Sequence, residues 1–295
     1  MEPYMSQNNE CGCDHSNLVM LPVRGFGLAV DPSGLVPAPG PALGCRERVD
    51  QDMHIYVNGN LTESGDGLSP ETAVKSYADA VLALSRYDGC NRHHAYFHLA
   101  SLESTDATYP EIVVGLGSYA TFGALHIRGE SQETTRLCRF NNQVGSMVSL
   151  SNISVAYTQT VASWLAIEGK VALRPVPGQP SAFHSTWGGC IRFTEDAEVY
   201  LYPGEYMAVC ATSHGMVGSG ERVKFCTLGN INLSSGFAVA SHCGNIQFPA
   251  STDFSGCTAV TGRKYYLEKL SCLCLDAGIL PGSVAGEAKN GSIYV

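Results

Sequence analysis

The sequence predicts an all-β chain folded as a right-handed parallel β-helix, with one N-terminal capping helix and a C-terminal β segment. A strand at residues 54–57 runs into a polar, glycine-rich turn over residues 58–70. One short helical stretch follows, and after it come strand-like runs of four to seven residues bounded by Gly, Asn, Ser or Pro. No Asn-Gly or Asp-Gly dipeptide, the pairs that close tight hairpins, lies between two well-alternating strands, apart from Asn290-Gly291. Wide turns between short strands favour coils stacked in parallel.

The capping helix is predicted near residues 76–88. Ser76 is placed to cap it, and Asp79 follows three residues later as a variant of the capping box. An apolar stripe with helical spacing follows: Tyr77, Ala80, Val81, Leu84 and Tyr87. We expect this stripe to cover the open end of the β-helix core, where apolar side chains would otherwise contact water.

The chain divides into three predicted parts. Residues 1–50 form an attachment arm or linker, since residues 35–44 contain three prolines and suit neither an interior helix nor a central strand. Residues 51–248 form the β-helix. Residues 249–295 form a strand-rich trimerisation or tip segment, in which residues 265–275 are predicted as one strand, apolar on both faces and buried centrally or between subunits.

The predicted shaft is short. Roughly 150 residues at about 20–25 per coil give about six or seven coils, or ~30 Å of stacked strands. Side-by-side packing of three copies would bury more apolar flank, so we expect a homotrimer.

Composition and charge exclude several functions. The net charge is −9 and the sequence has no run rich in Lys or Arg, which argues against nucleic acid as a partner. No apolar stretch approaches the roughly 20 residues that a membrane span requires, so no membrane insertion is expected. The N-terminus has no signal-peptide core, and the 12 cysteines are spread thinly, as expected for reduced thiols in a chain made in the cytoplasm.

Cofactor and metal motifs are weak. Cys11, Cys13 and His15 form one cluster of metal-ligand residue types, and His93, His94 and His98 form another. A structural zinc site needs four ligands, usually with a second spaced pair, and none is evident beside either cluster. The glycine-rich stretch at residues 115–120 leaves no room for the helix of a dinucleotide site. We therefore expect no cofactor.

Glycan cleavage is the main enzymatic alternative. Carboxylates on neighbouring coils would lie about 5 Å apart and those two coils apart about 10 Å, which brackets the separations in glycosidases. The candidate catalytic residues are Glu195, Asp196 and Glu198. The candidate sugar-stacking residues are Trp164, Trp187, Tyr200 and Tyr202. The simpler interpretation, a solvated turn for the carboxylates and core or trimer contacts for the tryptophans, is favoured, so turnover is not expected.

Two stretches resemble known families. Residues 55–60, 65–70 and 73–80 are similar to the opening strand, turn and capping helix of pectate-lyase-like β-helix proteins, and residues 109–113 and 125–129 are similar to their first coil. Residues 261–266, 279–286 and 291–295 resemble the C-terminal end of bacteriophage tail-fibre and tailspike proteins, including those of prophage-derived tail-like particles. Together these stretches cover about half of the chain.

The resemblance implies a structural and adhesive protein of the virion tail, assembled in the host cytoplasm. The expected partners are two further copies of the chain, tail or baseplate proteins bound through the N-terminal segment, and a host cell-surface polysaccharide. The first alternative is a polysaccharide hydrolase or lyase acting on capsule or O-antigen. The second is a secreted adhesin or carbohydrate-binding module, against which the lack of a signal-peptide core argues.

Overall fold

The computed structural model describes residues 28–31, 34–37, 46–104, 107–115, 119, 121–176, 181–275 and 280–295. The chain divides into two units, Met1–Cys45 and Arg46–Val295. In the first unit, Leu28–Asp31 pairs antiparallel with Gly34–Pro37. The predicted role of residues 1–50 as an attachment arm falls mostly outside the described residues and stays a prediction.

The second unit is a parallel β-helix, as predicted. Successive coils place their strands in four parallel ladders. Three later coils visit the ladders in the order 1, 2, 3, 4 before the chain returns to ladder 1, whereas the other coils omit one or more ladders. Ladder 1 has ten strands: Met53–Val57, Ala95–Leu99, Leu125–Gly129, the first parts of Met147–Val161 and Trp164–Leu173, Cys190–Phe193, Met216–Ser219, Asn245–Phe248, Cys272–Leu275 and Ile293–Tyr294.

The other ladders are shorter. Ladder 2 contains the first part of Arg136–Asn142, the middle of Met147–Val161, the end of Trp164–Leu173, Glu198–Leu201, Lys224–Thr227 and Asp253–Gly256. Ladder 3 contains Gly204–Tyr206, Ile231–Leu233 and Val260–Gly262. Ladder 4 contains Ile112–Val114, the ends of Arg136–Asn142 and Met147–Val161, Phe183–Thr186, Val209–Thr212, Ala238–Ser241, Tyr265–Leu267 and Glu287–Ala288. A separate parallel pair joins Glu47–Arg48 to Tyr87–Asp88.

The core is a column of apolar side chains inside the coils. Alternate residues of each strand point inward, so equivalent positions on successive coils stack on one another. On ladder 1 this column contains Ile55, Phe97, Ile127, Leu150, Ile167 and Phe193, all fully buried. In the later coils the rings of Phe193, Phe225 and Phe254 pack at centroid distances of 5.3 and 5.2 Å. The interior is therefore continuous from coil to coil.

The capping helix is present and spans Tyr77–Leu84, within the predicted range. The Ser76 side chain accepts a hydrogen bond from the Asp79 backbone N–H at 3.1 Å, which satisfies one of the unpaired donors of the first turn. Ala80, Ala83 and Leu84 are buried against the core. The helix thus covers the core at the first coils.

The corner between ladder 4 and ladder 1 repeats. Two consecutive residues have positive φ in five corners: Trp187 and Gly188, Ser213 and His214, His242 and Cys243, Lys269 and Leu270, Asn290 and Gly291. A glycine follows in three of them, and a Cβ at Gly244 would lie 2.0 Å from the Ala211 carbonyl oxygen on the preceding coil. The close backbone approach therefore requires glycine. The strand register aligns residues 185–198 with 211–224 and 240–253, a repeat that the sequence alone did not reveal.

Two expectations were wrong. Residues 265–275 form two strands, Tyr265–Leu267 and Cys272–Leu275, because Lys269 and Leu270 adopt positive φ and turn the corner. The stack also exceeds seven coils, since ladder 1 continues to Ile293–Tyr294 and coil length varies more than twofold. Ten strands at the usual spacing give a shaft of ~43 Å.

Candidate functional site: a histidine and tyrosine face beside a cleft

Polar aromatic side chains cover the outside of ladder 1 on its first coils. The strand register places His54, Tyr96 and His126 in one column and Tyr56, His98 and Arg128 in the next. These residues alternate with the buried Ile55, Phe97 and Ile127, so the pleat of the strands points them outward. We call these six residues, together with His94, the histidine–tyrosine face.

The rings of this face stack along the shaft. The His54 and Tyr96 centroids lie 4.8 Å apart, and those of Tyr96 and His126 4.6 Å apart, with nearly parallel planes. The Arg128 guanidinium lies 4.5 Å from the Tyr96 centroid. Because neighbouring strands are separated by about 4.8 Å, each ring covers the face of the next. The rings within the stack therefore present their edges, which carry N–H, N and O–H groups, to the outside.

A chain of hydrogen bonds links this face to the next two coils. A carboxylate only accepts, so Ser149 Oγ donates to Glu168 Oε2 at 3.1 Å. Ser149 Oγ therefore accepts from His126 Nδ1 at 2.7 Å. A neutral imidazole protonated on Nδ1 has a bare Nε2, and this atom accepts from His94 Nδ1 at 3.0 Å. The chain thus leaves Nε2 of a neutral His94 as a lone-pair acceptor.

Burial keeps the inner histidines of this face neutral. Desolvation, followed by the charge of His94 and then Arg128, lowers the pKa of His126 to about 4. The pKa of His98 is also lowered to about 4, first by desolvation, then by the charge of His54 and then by that of Arg128. His98 Nε2 and His54 Nδ1 share a hydrogen bond of 2.9 Å. At neutral pH, His98 and His126 are therefore uncharged and lie beside the cation of Arg128.

A cleft of about 520 Å³ adjoins the first coil. Its lining residues are Glu47, Arg48, Val49, Asp50, Gln51, Asp52, Met53, His54, Tyr56, Leu68 and Tyr87. His54 and Tyr56 belong to the first strand of ladder 1, so the next coil stacks on only one side of their rings. Three carboxylates and one guanidinium line the cleft, and the backbone N–H of His94 lowers the pKa of Asp52. The cleft is therefore negative at neutral pH.

The predicted histidine cluster does not form a single site. His94 shares a hydrogen bond with His126, whereas His98 shares one with His54. The described residues contain no group of three or more His, Cys, Asp or Glu side chains placed to hold a metal ion. Cys11, Cys13 and His15 lie outside the described residues.

Two of the predicted catalytic carboxylates lie in an exposed corner and bind one arginine. Arg222, one coil later, donates to Asp196 Oδ1 at 2.7 Å and to Glu195 Oε1 at 2.5 Å. The hydrogen bonding of Asp196 to Arg222 lowers the pKa of Asp196. A glycosidase needs one carboxylic acid whose pKa is raised, so Asp196 has the wrong shift for that role.

Glu198 belongs to a column of alternating charge on the outside of ladder 2. The register stacks Lys170, Glu198, Lys224 and Asp253 on successive coils. Lys170 Nζ lies 3.7 Å from Glu198 Oε2, and the Tyr200 hydroxyl donates to the same oxygen at 2.5 Å. The Tyr200 hydrogen bond, followed by Lys170 and Lys224, lowers the pKa of Glu198. This arrangement suits cross-strand stabilisation more than acid catalysis.

The four predicted sugar-stacking residues do not come together. Arg174 covers the ring of Tyr202 at 3.7 Å, and Tyr200 is bonded to Glu198. Trp164 and Trp187 are exposed, with 39% and 70% of their surface accessible, so neither is a core residue.

Trp164 is part of an exposed stripe that follows ladder 1. The register stacks Met147, Trp164, Cys190, Met216, Asn245, Cys272 and Ile293, which we call the apolar column; Asn245 is its one polar member. Met147, Met216 and Ile293 are each more than half exposed. Long apolar stripes of this kind mark interaction surfaces.

Most of the histidine–tyrosine face was not predicted from the sequence. His54, Tyr96 and His126 are far apart in the chain and meet only through the strand register. One signal was present, because three strands carry polar rings or arginine two residues apart, at positions 54 and 56, 96 and 98, and 126 and 128. Aligning those strands would have predicted the face.

No helix among the described residues is long and apolar enough to cross a membrane. The chain matches no protein-family model, no curated protein and no solved structure.

Proposed function

We propose that this protein is a tail-fibre or tailspike component of a virion that attaches to a glycan on the host surface without cleaving it. The observation that carries the proposal is the histidine–tyrosine face with its adjoining cleft. The face is built on a rigid ladder and presents hydrogen-bonding groups at regular spacing. Such a surface suits a ligand that is rich in hydroxyl groups.

The cleft favours a neutral saccharide over an acidic one. Glu47, Asp50 and Asp52 outnumber Arg48 among the charged lining residues, so a ligand carboxylate would be repelled at neutral pH. A volume of about 520 Å³ is within the range of small-ligand sites. The rings of His54 and Tyr56 can contact the apolar face of a sugar, and the imidazole edges can bond its hydroxyls.

The apolar column supports the proposal of a homotrimer. It runs parallel to the shaft and repeats once per coil, so an identical column on a second copy would match it along its length. Three copies would multiply a weak single-site affinity by avidity. Attachment of residues 1–50 to tail or baseplate proteins is part of the same proposal.

Hydrolysis of the bound glycan is the alternative function that would replace this proposal. Asp196 and Glu198 have lowered pKa values, and each has a cationic partner on a neighbouring coil. We therefore expect the full chain to release no reducing ends from a bound polysaccharide.

The test is an array of neutral and acidic bacterial oligosaccharides, probed with the full chain and with Tyr56→Ala. His242→Ala is the matched control, since His242 is exposed at a corner outside the face. We expect binding to neutral glycans that Tyr56→Ala weakens at least tenfold and His242→Ala leaves intact. Equal binding of neutral glycans by all three proteins, no binding of any neutral glycan, or release of reducing ends would refute the proposal. Light scattering of the same sample tests the trimer.

A further inference from the structure

A second cleft lies on the late coils, and its charge is opposite to that of the first. Its volume is about 570 Å³. Its lining residues are Leu233, Ser234, Ser235, Arg263, Tyr266, Val284, Glu287 and Lys289. Two cations and one carboxylate leave it with a net positive charge, although the whole chain carries −9.

The two cations converge on one carboxylate of the protein itself. Glu287 Oε1 lies 2.7 Å from Lys289 Nζ, and Glu287 Oε2 lies 3.3 Å from Arg263 NH1. The hydrogen bond from Lys289 is the largest cause that lowers the pKa of Glu287, so this side chain is an anion at neutral pH. A carboxylate position between a guanidinium and an ammonium group is therefore already formed.

The cleft also offers groups for the rest of a sugar. The Arg263 guanidinium and the Lys289 Nζ lie 5.3 and 5.5 Å from the Tyr266 ring centroid, which holds both cations beside this ring. Tyr266 donates its hydroxyl to Glu268 at 3.0 Å, which fixes the ring. Ser234 and Ser235 place hydroxyl groups in the lining.

We propose that this late cleft binds the carboxylate of an acidic saccharide, which displaces Glu287 from between Arg263 and Lys289. The inference rests on the proposed function only in taking the ligand to be a saccharide. Glu287 is partly exposed and can move aside at low cost, since exposed ion pairs contribute little. The two clefts would then bind different parts of the glycan. Neutral sugar units would bind at the first coils and an acidic sugar unit at the late coils.

The proposal predicts opposite effects for neighbouring substitutions. Titration of the full chain with tetragalacturonate at low salt should give an affinity that Lys289→Gln and Arg263→Gln each lower at least tenfold. Glu287→Gln should raise the affinity severalfold, because it removes the competing carboxylate and keeps both cations. A purely structural salt bridge would give no gain in affinity. Lys269→Gln is the matched control, because Lys269 contacts Glu268 and His242 and does not line the cleft.

Several results would overturn the inference. These are no binding of tetragalacturonate by either the wild type or Glu287→Gln, weaker binding by Glu287→Gln, or equal loss in Lys269→Gln. Equal affinity for a tetraglutamate peptide would assign the cleft to acidic peptides instead of saccharides. Thermal unfolding of each variant tests whether it is folded. If Arg263→Gln does not fold, the affinity of Lys289→Gln alone decides the test. Loss of neutral-glycan binding in Tyr56→Ala is a separate result, so the proposed function and this inference can fail independently.

Discussion

Arg222 lies one coil after Asp196, and its Nε atom donates to Asp196 Oδ1 at 2.7 Å. The same guanidinium reaches Glu195, so one side chain joins two carboxylates of the preceding corner. Glu198 has an equivalent relationship to Lys170 on the coil before it. The carboxylates that suggested catalysis in the sequence thus bind cations between coils.

The column of alternating charge on ladder 2 predicts that a charge reversal at its centre lowers the free energy of unfolding. Glu198→Lys would place three cations in succession with Lys170 and Lys224, so we expect a loss of about 1 kcal/mol in the free energy of unfolding at low salt. High salt should reduce the loss by screening. Chemical denaturation at two salt concentrations measures both effects. Glu63→Lys, an equal charge change on an exposed turn, should cost less, and an equal cost would contradict the prediction.

The phenylalanine stack predicts a large loss on truncation. Phe225 is 1% exposed, and its ring packs against Phe193 at 5.3 Å and Phe254 at 5.2 Å. Phe225→Ala should lower the free energy of unfolding by about 3–5 kcal/mol, since it leaves a cavity in a dry core. Phe225→Leu should cost about 1–2 kcal/mol because most of the volume is kept. Urea unfolding measures both, and similar losses for the two variants would contradict the stack.

The buried histidines predict acid sensitivity. His98 and His126 have folded pKa values of about 4, below the unfolded value of about 6.5. Below pH 6.5 the unfolded chain therefore takes up protons that the folded chain does not. The stability that these residues contribute is present above about pH 6.5 and is lost as the pH falls towards 4.

Melting curves test this pH dependence. After discounting for partial exposure, we expect Tm to fall by roughly 5 °C between about pH 7.5 and pH 5. His126→Gln should reduce the fall, whereas His242→Gln, at an exposed corner, should not change it. A flat profile for the wild type would contradict the assigned pKa shifts.

The repeated corner predicts that glycine stabilises one cysteine position and destabilises another. Cys243 has φ of 62°, which L side chains adopt at a cost. Cys243→Gly should raise the free energy of unfolding by about 0.5 kcal/mol, while Cys138→Gly, inside the strand Arg136–Asn142, should lower it by about 1 kcal/mol. Thermal denaturation of the two variants under reducing conditions measures the difference. The same sign for both would contradict the corner geometry.

The apolar column predicts how the chain associates. Met216 is 51% exposed at its centre, and Met216→Glu would place a charge in the proposed contact between copies. Light scattering should show a mass about one-third of the wild-type assembly. Val113→Glu is the matched control, because Val113 is 42% exposed on ladder 4, away from the column, and should leave the mass unchanged. A wild type that is monomeric would contradict both the column and the trimer.

Local sequence patterns predicted the local structure well. The strand near residues 54–57 and the helix capped by Ser76 are where the spacing of apolar residues and the capping oxygen placed them. The corner at Lys269 and Leu270, where both residues have positive φ, was missed because neither residue is a turn former. Of all parts of the structure, the candidate site was the least predictable from the sequence. Coils of unequal length bring His54, Tyr96 and His126 together, and no fixed period in the sequence reveals that register.

The linear stacking of the coils determines the order in which the molecule unfolds. Each coil pairs only with the coil before and the coil after it, so opening an interior coil breaks two interfaces and opening a terminal coil breaks one. Amide protons should therefore exchange with deuterium fastest at the two ends and slowest around Phe193 and Phe225. Both clefts lie near the ends, so a bound ligand at either one would slow the fraying of the coils beneath it.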